Sequence, residues 1–301
     1  MSETTDITKF AIGADIGGSH ICSAVVNLST GEICTEPFVT PVDCHAEASA
    51  ILEAWQANLE GTVALFGKSV PAVGLAIPGP FDYARGVSLI SGVGKYDSIY
   101  GLDLKSTLLP RLRGCGVSQF RFVNDASAFA LGECLGGAAR VSDRVVALTL
   151  GTGVGSGFVA GRHLVEQGPE VPANGWVYHL PFENSIADDA FSTRWICRRF
   201  RQLAGIDVDG AKDVADRATA GDPQALGLFE EYGQRLGSFA LPLLRNFSSH
   251  TLLLGGNISR AYNLFGPALE QTLNSNGNNA EVKVSTLLDR AALVGAASLF
   301  I

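Results

Sequence analysis

The sequence predicts an α/β protein made of two similar units, and three observations lead to this fold class. Its 301 residues are enough for two domains of ordinary size. Its composition, 47% hydrophobic and 17% charged, is typical of a globular protein with a large buried core. A pattern of strand, glycine-rich tip and returning strand occurs twice, at residues 10–28 and 144–164. This repetition indicates two related domains that face each other across a cleft.

The first half of the chain alternates strand and helix signals. Apolar runs at residues 10–14 and 21–28 flank a glycine pair, which predicts a glycine-tipped hairpin, and residues 32–40 predict a third antiparallel strand. In residues 46–59 the apolar side chains recur at spacings of three and four, as in an amphipathic helix. The other predicted elements of this half are strands at 70–77 and 120–123 and helices at 102–109 and 126–135.

The second half of the chain begins with the repeated hairpin. Its predicted parts are a strand at 144–150, a glycine tip at 151–157 and a returning strand at 158–164. Residues 191–246 are predicted to be mainly helical, with breaks near Gly205 and at 221–223. The last predicted elements are a strand at 251–254, a helix from 258 and a final Ala-rich helix at 288–299.

Charge and composition exclude several classes of partner. The net charge of −8 disfavours nucleic acid and anionic membranes as partners. No apolar run reaches the roughly 18 residues that span a bilayer, and Met1 to Lys9 lacks a signal-peptide pattern. The six cysteines form no CxxC or CxC clamp, which indicates reduced thiols. We therefore expect a cytoplasmic protein.

The first glycine tip carries an acidic residue and a possible anion site. Asp15 precedes Gly17, Gly18 and Ser19 between two predicted strands. Successive N–H groups at a glycine tip form a nest for phosphate oxygens. The Asp15 carboxylate would repel phosphate unless Mg²⁺ lay between the two, which makes Asp15 a candidate magnesium residue. A plain β-turn uses the same residue types and stays open as an alternative.

The second glycine tip predicts another phosphate-binding hairpin. It comprises Gly151, Thr152, Gly153 and Gly155, in a run that ends at Gly157. A dinucleotide fingerprint requires a helix directly after the glycines, and here a short apolar pair and a turn follow. No GxxxxGK[ST] sequence occurs, so a Walker A loop is excluded. A structural glycine turn remains the alternative.

Asp125 is the candidate catalytic residue. It lies with Asn124 where a predicted strand meets a predicted helix. In a kinase, a carboxylate there can accept the proton of the attacking hydroxyl. Asn124 can orient that hydroxyl by hydrogen bonding. An Asp before a helix is also a common N-cap, so this alternative stays open.

A further glycine corner is a candidate site for the nucleoside. Gly255, Gly256 and Asn257 follow an apolar strand and precede a predicted helix. Two glycines leave a flat backbone surface against which adenine and ribose can lie. A simple strand-to-helix turn explains the same residues equally well.

Together these motifs resemble the ROK family (repressors, open reading frames and kinases), in the sugar-kinase branch of the actin-like ATPase superfamily. The resemblance extends over essentially the whole chain. It rests on five matching segments in the expected order, namely residues 15–19, 74–80, 124–133, 150–157 and 254–257.

The resemblance implies two ribonuclease-H-like lobes around a central cleft. Each would contain a mixed sheet with three antiparallel strands and flanking helices. The N-terminal lobe would comprise residues 1–123 plus 288–301, with the first phosphate hairpin and part of the sugar site. The C-terminal lobe would comprise residues 124–287, with the catalytic Asp, the second hairpin and the adenosine motif. The resemblance also implies a homodimer.

By the same resemblance, the chain is an ATP-dependent sugar kinase that phosphorylates a hexose or hexose derivative at its 6-hydroxyl. Asp125 would be the general base, Asn124 and Gly79 would line the sugar pocket, and Asp15 would hold Mg²⁺ through water. The alternative is a catalytically degenerate sugar sensor or a regulator of the same family. Regulators carry a helix-turn-helix before the first phosphate motif, whereas residues 1–14 alone precede it here.

The chain departs from the family pattern on the sugar side. His179 matches a sugar-contacting His, but Trp176 stands where the family has Glu, and Asp188 replaces a second sugar-binding Glu. No cysteine cluster follows, so no zinc is expected. These differences predict a sugar specificity unlike that of a standard glucokinase. Further candidates for tuning the substrate lie in the loop 94–101, namely Lys95, Tyr96 and Asp97.

Overall fold

The computed structural model describes residues 9–301. The chain divides into two compact units. Unit 1 consists of residues 9–137 together with 289–301, and unit 2 consists of residues 138–288. A separate cluster of buried hydrophobic side chains fills the core of each unit.

The elements are numbered along the chain. The strands are β1 Phe10–Ile16, β2 His20–Asn27, β3 Phe38–Pro41, β4 Ala72–Ala76, β5 Phe81–Asp82, β6 Val87–Ser88, β7 Gln119–Val123, β8 Arg144–Leu150, β9 Val154–Ala160, β10 His163–Leu164, β11 Pro181–Phe182, β12 Ser185–Ile186, β13 Thr251–Gly255 and β14 Glu281–Val284. The helices are α1 Ala48–Phe66, α2 Leu104–Leu112, α3 Asp125–Leu135, α4 Ala187–Ala190, α5 Thr193–Ala204, α6 Ala211–Thr219, α7 Pro223–Asn246, α8 Tyr262–Ser275 and α9 Ala291–Ser298.

Unit 1 is built on a five-stranded mixed sheet with the order β3-β2-β1-β4-β7. The pairs β3-β2 and β2-β1 are antiparallel, and β1-β4 and β4-β7 are parallel. Every residue of β4 is buried, as expected for a central parallel strand covered on both faces. Helix α1 packs against β2 and β3, whereas α9 packs against β1 and β4.

Unit 2 repeats this topology with the order β10-β9-β8-β13-β14. Its first three strands are again antiparallel, and β13 pairs in parallel with both neighbours. The predicted repetition and the mixed sheets with three antiparallel strands are therefore confirmed. The predicted breaks in the long helical region are confirmed too, since α5 ends at a Gly205 C-cap and Pro223 begins α7.

The predicted returning strand at 158–164 is wrong in its bounds. Strand β9 begins at Val154, and Gly155 is paired across the ladder with Thr149. The glycine tip is therefore limited to residues 151–153. A left-handed turn ends β9, after which β10 forms the third strand. Glycine lowers strand propensity, but here the register with β8 extends the ladder through the glycines.

Helix α9 lies unusually close to the sheet of unit 1. A Cβ at Gly13 in β1 would collide with the backbone carbonyl of Leu293 in α9. A Cβ at Gly74 in β4 would likewise collide with the carbonyl of Ala296. Glycine is required at both positions, because any side chain would occupy the space that the helix backbone fills.

The same helix determines the boundary of unit 1. A Cβ at Gly132 in α3 would meet the carbonyl of Ala291, and a Cβ at Gly295 would meet the carbonyl of Ala128. Because α3 packs closely on α9, residues 124–137 belong to unit 1. The sequence predicted a boundary after residue 123, which would have put α3 and Asp125 with the second hairpin.

Other expectations from composition concern cysteines and membranes. All six cysteines carry thiols rather than disulfides. Within residues 9–301, no helix combines the length and the apolar character that a membrane crossing requires. The prediction that the N-terminus lacks a signal peptide concerns Met1 to Lys9, and of these positions 1–8 lie outside the described residues.

Candidate functional site

The first glycine tip joins β1 to β2 in unit 1. The Gly17 N–H donates to the carbonyl of His20 at 2.9 Å, which closes the turn. Gly18 and Ser19 are exposed at the tip. A Cβ on Gly18 would meet no other atom within 4 Å, so the tip is open on this side. This geometry leaves backbone amides accessible to an anionic ligand, as the nest interpretation requires.

Tyr96 holds this tip from within the core. Its hydroxyl donates to the carbonyl of Gly17 at 2.6 Å, and its ring packs against Trp55. Tyr96 is fully buried, and burial raises the pKa of its phenol. The sequence proposed Tyr96 as a residue that tunes the substrate. Its burial instead makes it a support for the first hairpin.

Asp15 is an acidic group in an unfavourable environment. Its pKa is raised from 3.8 to about 7, chiefly because burial disfavours the charged carboxylate. The nearby negative charges of Asp125 and Asp289 add to this effect. The carboxyl groups of Asp125 and Asp289 therefore lie close enough to the end of β1 to raise the pKa of Asp15.

The residues around Asp15 fit a magnesium ion. A divalent cation would offset the negative charge that the site concentrates. Mg²⁺ keeps several waters and binds to one or two carboxylates plus substrate phosphates, so it needs no cage of protein ligands. Across residues 9–301, no group of three or more His, Cys, Asp or Glu side chains is arranged to hold a metal. Coordination of Mg²⁺ by Asp15 through water therefore remains a prediction.

The raised pKa of Asp15 predicts a pH-dependent effect of its removal. The folded protein retains the Asp15 proton up to pH 7, whereas the unfolded chain loses it near pH 3.8. Stability therefore falls as pH rises between these values and stays low above pH 7. We expect Asp15→Asn to remove this penalty, which is on the order of a few kcal/mol, and to raise Tm at pH 8.

The measurement is a thermal melt of parent and variant in EDTA between pH 4 and pH 8. The gain in Tm should be small at pH 4 and increase towards pH 7. A difference in Tm that is independent of pH would contradict the proposed origin. Glu53→Gln, on the exposed face of α1, is the control for the loss of one charge.

Asn124 and Asp125 have distinct positions at the start of α3. Asn124 is the N-cap, and its side-chain oxygen accepts from the Ala126 N–H at 3.0 Å. Asp125 is the first helical residue and is exposed, with Oδ1 accepting from the same N–H at 2.9 Å. The N-cap of α3 is therefore Asn124 and not Asp125. A carboxylate in the first turn is stabilised by the helix dipole.

Tyr83 connects Asn124 to the segment that contains Gly79. The Asn124 side-chain amide donates to the Tyr83 hydroxyl at 3.3 Å, and this hydroxyl donates to the carbonyl of Ile77 at 3.1 Å. A Cβ on Gly79 would lie 3.4 Å from the same hydroxyl. The Gly79–Pro80 peptide bond is cis. Two residues predicted to line the sugar pocket therefore lie close together.

The second glycine tip joins β8 to β9 in unit 2. The Gly151 N–H donates to the carbonyl of Gly153 at 3.0 Å, which tightens the turn. Thr152 is exposed at its apex. Gly155 was predicted to bind the nucleotide, but its backbone lies within β9. The tip residues that remain candidates for phosphate binding are Gly151, Thr152 and Gly153.

Asp188 contacts this hairpin directly. Its Oδ1 accepts from the Val154 N–H at 2.9 Å, and its Oδ2 forms an ion pair with Arg194 at 2.9 Å. The sequence proposed Asp188 as a sugar contact. These contacts favour a role in supporting the hairpin, and the sugar contact stays a prediction without support from the described geometry.

The residues Trp176, Tyr178 and His179 form an aromatic cluster on one loop. The Trp176 and Tyr178 ring centroids are 6.3 Å apart, and those of Tyr178 and His179 are 5.0 Å apart in an edge-to-face arrangement. Ser156 in β9 anchors the loop by donating to the Gly175 carbonyl at 2.6 Å. Trp176 is half-buried and His179 is exposed, so both retain accessible surface.

The adenosine motif lies at the end of β13. Gly256 has a φ of 79°, and a Cβ there would meet the backbone of Leu150, so glycine is required. Asn257 lines a cavity of about 680 Å³ in unit 2, a volume suited to a small-molecule ligand. The other lining residues include Lys212, Phe229, Ile258, Arg260 and Leu264.

Several residues near the candidate sites were missed in the sequence. Tyr83 bonds to Asn124, Arg194 bonds to Thr152, and Asp289 acts on Asp15, in each case between residues far apart in the sequence. Arg194 lies on the basic, amphipathic helix α5, and the spacing of basic residues along this helix does not predict a contact with the second hairpin. For Asp289, the signal in the sequence is the predicted return of residues 288–301 to the N-terminal lobe, which contains Asp15.

The chain is similar to sugar kinases along almost its entire length. A profile of the ROK family matches residues 11–175 and 181–301. The glucokinase of Thermotoga maritima is 29% identical, in an alignment that covers 96% of each protein. The N-acetyl-D-glucosamine kinase of Mannheimia succiniciproducens is 27% identical, covering 96% of this chain and 98% of that protein.

The fold agrees with these sequence matches. The crystal structure of a ROK family glucokinase from Streptomyces griseus, in complex with glucose and AMPPNP, aligns with a TM-score of 0.71. The two are 25% identical, and the alignment covers 96% of this chain and 98% of that one. The fold, with one mixed sheet in each unit, is thus the actin-like ATPase fold of ROK sugar kinases. With the family profile matching both units, the chain belongs to the ROK family.

Proposed function

We propose that this protein is an ATP-dependent sugar kinase that phosphorylates a hexose or hexose derivative at its 6-hydroxyl. The observation that carries the proposal is the exposed Asp125 carboxylate at the start of α3, where Asn124 acts as the helix cap. This division leaves Asp125 available for proton transfer. Membership of the ROK family and similarity to named glucokinases and N-acetylglucosamine kinases support the proposal.

The proposed chemistry requires one base. The sugar hydroxyl oxygen attacks the γ-phosphorus of ATP, the bond from that phosphorus to the bridging oxygen breaks, and ADP leaves. Asp125 accepts the hydroxyl proton as the new O–P bond forms. Asn124 and Gly79 lie beside Tyr83 in the same unit, where they are suited to bind the sugar.

The phosphate groups require positive charge and N–H donors. The amides of the two glycine tips would donate to phosphate oxygens, and the 680 Å³ cavity beside Asn257 would take the base. Mg²⁺, when bound through water to Asp15, would neutralise phosphate charge. The buried carboxyl of Asp15 fits this role, because a nearby cation would lower the cost of its ionisation.

A coupled assay of ADP release tests the proposal. Purified protein with Mg-ATP should release ADP when glucose, mannose, fructose, N-acetylglucosamine or N-acetylmannosamine is added in turn, and little without sugar. ³¹P and ¹³C NMR of the product should identify the 6-phosphate. Sugar binding without sugar-dependent ADP release would contradict the proposal and support a sensor instead.

Trp176 predicts a preference among these sugars. An indole in place of a carboxylate removes an acceptor for two hydroxyl groups and offers an apolar face instead. We expect kcat/KM for glucose to lie about tenfold or more below that of the best sugar in the panel, since a hydroxyl without its hydrogen-bond partner lowers transition-state binding. Equal efficiency on glucose would refute this prediction.

Two substitutions at this position test its cause. Trp176→Glu should raise kcat/KM for glucose relative to the best sugar, because it restores an acceptor. Trp176→Phe keeps an aromatic face and should preserve the order of sugars found for the parent. A Trp176→Glu variant with the parent's order of sugars would show that other residues set the specificity.

A further inference from the structure

We infer that Asp188 and Arg194 position the second glycine tip for the nucleotide phosphates, and that Asp188 is not a sugar contact. This inference rests on the proposed function, since it assigns two positioning residues to the nucleotide side of that site. All of its contacts lie within unit 2.

Both oxygens of the Asp188 carboxylate are engaged. Oδ1 accepts from the Val154 N–H, the first residue after the tip, at 2.9 Å. Oδ2 accepts from the Arg194 guanidinium at 2.9 Å. These charge-assisted hydrogen bonds are stronger than those between neutral groups, and together they hold the carboxylate against the tip and the guanidinium.

Arg194 extends the same contact to the apex of the tip. Its second terminal nitrogen donates to the carbonyl of Thr152 at 3.1 Å. The neighbouring Thr193 donates to the carbonyl of Gly151 through both its N–H, at 2.8 Å, and its hydroxyl, at 3.0 Å. Thr193 and Arg194, in the first turn of α5, therefore donate to the carbonyls of the first two tip residues, Gly151 and Thr152.

These carbonyl contacts determine where the amides of the tip point. In a trans peptide, the C=O of one residue and the N–H of the next point in opposite directions. Because the carbonyls of Gly151 and Thr152 point towards α5, the N–H groups of Thr152 and Gly153 point away from it. These two amides are thereby oriented together, as an anion nest requires.

The Asp188 carboxylate occupies the space that a side chain at Gly153 would need. A Cβ at Gly153 would collide with Asp188 Oδ1 and lie 3.2 Å from its Cγ. The φ of Gly153 lies outside the left-handed region, so the backbone itself would accept alanine. The absence of a side chain at this position is therefore explained by the approach of the Asp188 carboxylate.

Charge is consistent with a supporting role. An isolated carboxylate beside a phosphate site would repel the ligand, whereas the ion pair with Arg194 offsets the charge of Asp188. Asp189 lies 3.8 Å from the same guanidinium and accepts from Ser185 at 3.0 Å. The Asp188 N–H also donates to the Tyr178 carbonyl at 2.9 Å, which links the tip to the aromatic loop.

Direct binding measurements test the inference. Asp188→Ala and Arg194→Ala should each raise the Kd for Mg-AMPPNP about tenfold, the lower end of the effect of one charge-assisted hydrogen bond. The Kd of the best sugar in the panel should not change. The double variant should bind no more weakly than the weaker single variant, because both residues act on one tip. Calorimetry on the full chain provides each constant.

Further variants distinguish a specific effect on the second tip from a general loss of structure. Gly153→Ala should reproduce the effect of Asp188→Ala by displacing the carboxylate. Asp188→Asn should lie between Asp188→Ala and the parent, because it keeps an acceptor for Val154 and loses the ion pair. Arg198→Ala, an exposed arginine on the same helix, should bind Mg-AMPPNP like the parent.

Several outcomes would overturn the inference. These are a raised sugar Kd with unchanged Mg-AMPPNP affinity in Asp188→Ala, additive losses in the double variant, and no Mg-AMPPNP binding by the parent. If the parent binds Mg-AMPPNP without sugar-dependent ADP release, the proposed kinase activity fails. The inference is then still decided by the Mg-AMPPNP affinities of the variants.

Discussion

Asp125→Asn should lower kcat for sugar-dependent ADP release by at least about 10²-fold, the usual contribution of a general base. Asparagine keeps the size of the side chain and an oxygen that can accept from the Ala126 N–H, but it cannot take up the hydroxyl proton. The helix cap belongs to Asn124 and is unaffected. We therefore expect near-parental Tm and sugar affinity together with lost turnover.

The decisive comparison is between kcat and binding. Steady-state ADP release gives kcat, calorimetry with the best sugar of the panel gives its Kd, and a thermal melt gives Tm. Glu53→Gln removes one exposed carboxylate elsewhere in unit 1 and should behave as the parent. Sugar-dependent ADP release that survives Asp125→Asn would remove Asp125 as the base.

Gly74→Ala should strongly destabilise unit 1. The added Cβ would occupy the position of the Ala296 carbonyl oxygen in α9, and both partners are backbone. A rotamer change cannot relieve this clash, so the helix must move away from β4. Overpacking of this kind costs about 1–3 kcal/mol or more. We expect Tm to fall by roughly 5–10 °C.

A matched glycine provides the control for this prediction. Gly114 is also in unit 1, and a Cβ there would meet no atom within 4 Å. Its φ lies outside the left-handed region, so Gly114→Ala should leave Tm nearly unchanged. Differential scanning calorimetry of both variants makes the comparison, and equal Tm values would contradict the close approach of α9.

The sequence was sufficient for those parts of the fold that depend on local pattern. Alternating apolar runs and glycine pairs predicted both hairpins and their repetition, because strand pairing and tight turns leave a short-range signal. The predicted bounds of β9 are wrong, because glycine disfavours strands locally whereas the ladder with β8 continues through these glycines. The boundary of unit 1 lies after residue 137 and not after residue 123, because the close packing of α3 on α9 leaves no local signal in the sequence.

The candidate site was predictable to the same degree. Asp15, Asn124 and Asp125 are candidates from the sequence because each lies where a strand ends, next to residues with a recognisable spacing, and their roles in the site stay predictions. Tyr96 was assigned to the sugar side, although its hydroxyl supports Gly17 from the core. Its partner lies far away along the chain, so only the folded structure could reveal the contact.

The sequence by itself thus determined the duplicated α/β fold, the two glycine tips and the family of the chain, since all of these are encoded in local spacing and order. The tertiary structure decided the rest. It made Asn124 the cap of α3, raised the pKa of Asp15 through burial and neighbouring carboxylates, and directed Asp188 to the second tip. The physical reason is that burial, charge and carboxylate contacts depend on residues distant in sequence, which meet only when each unit folds.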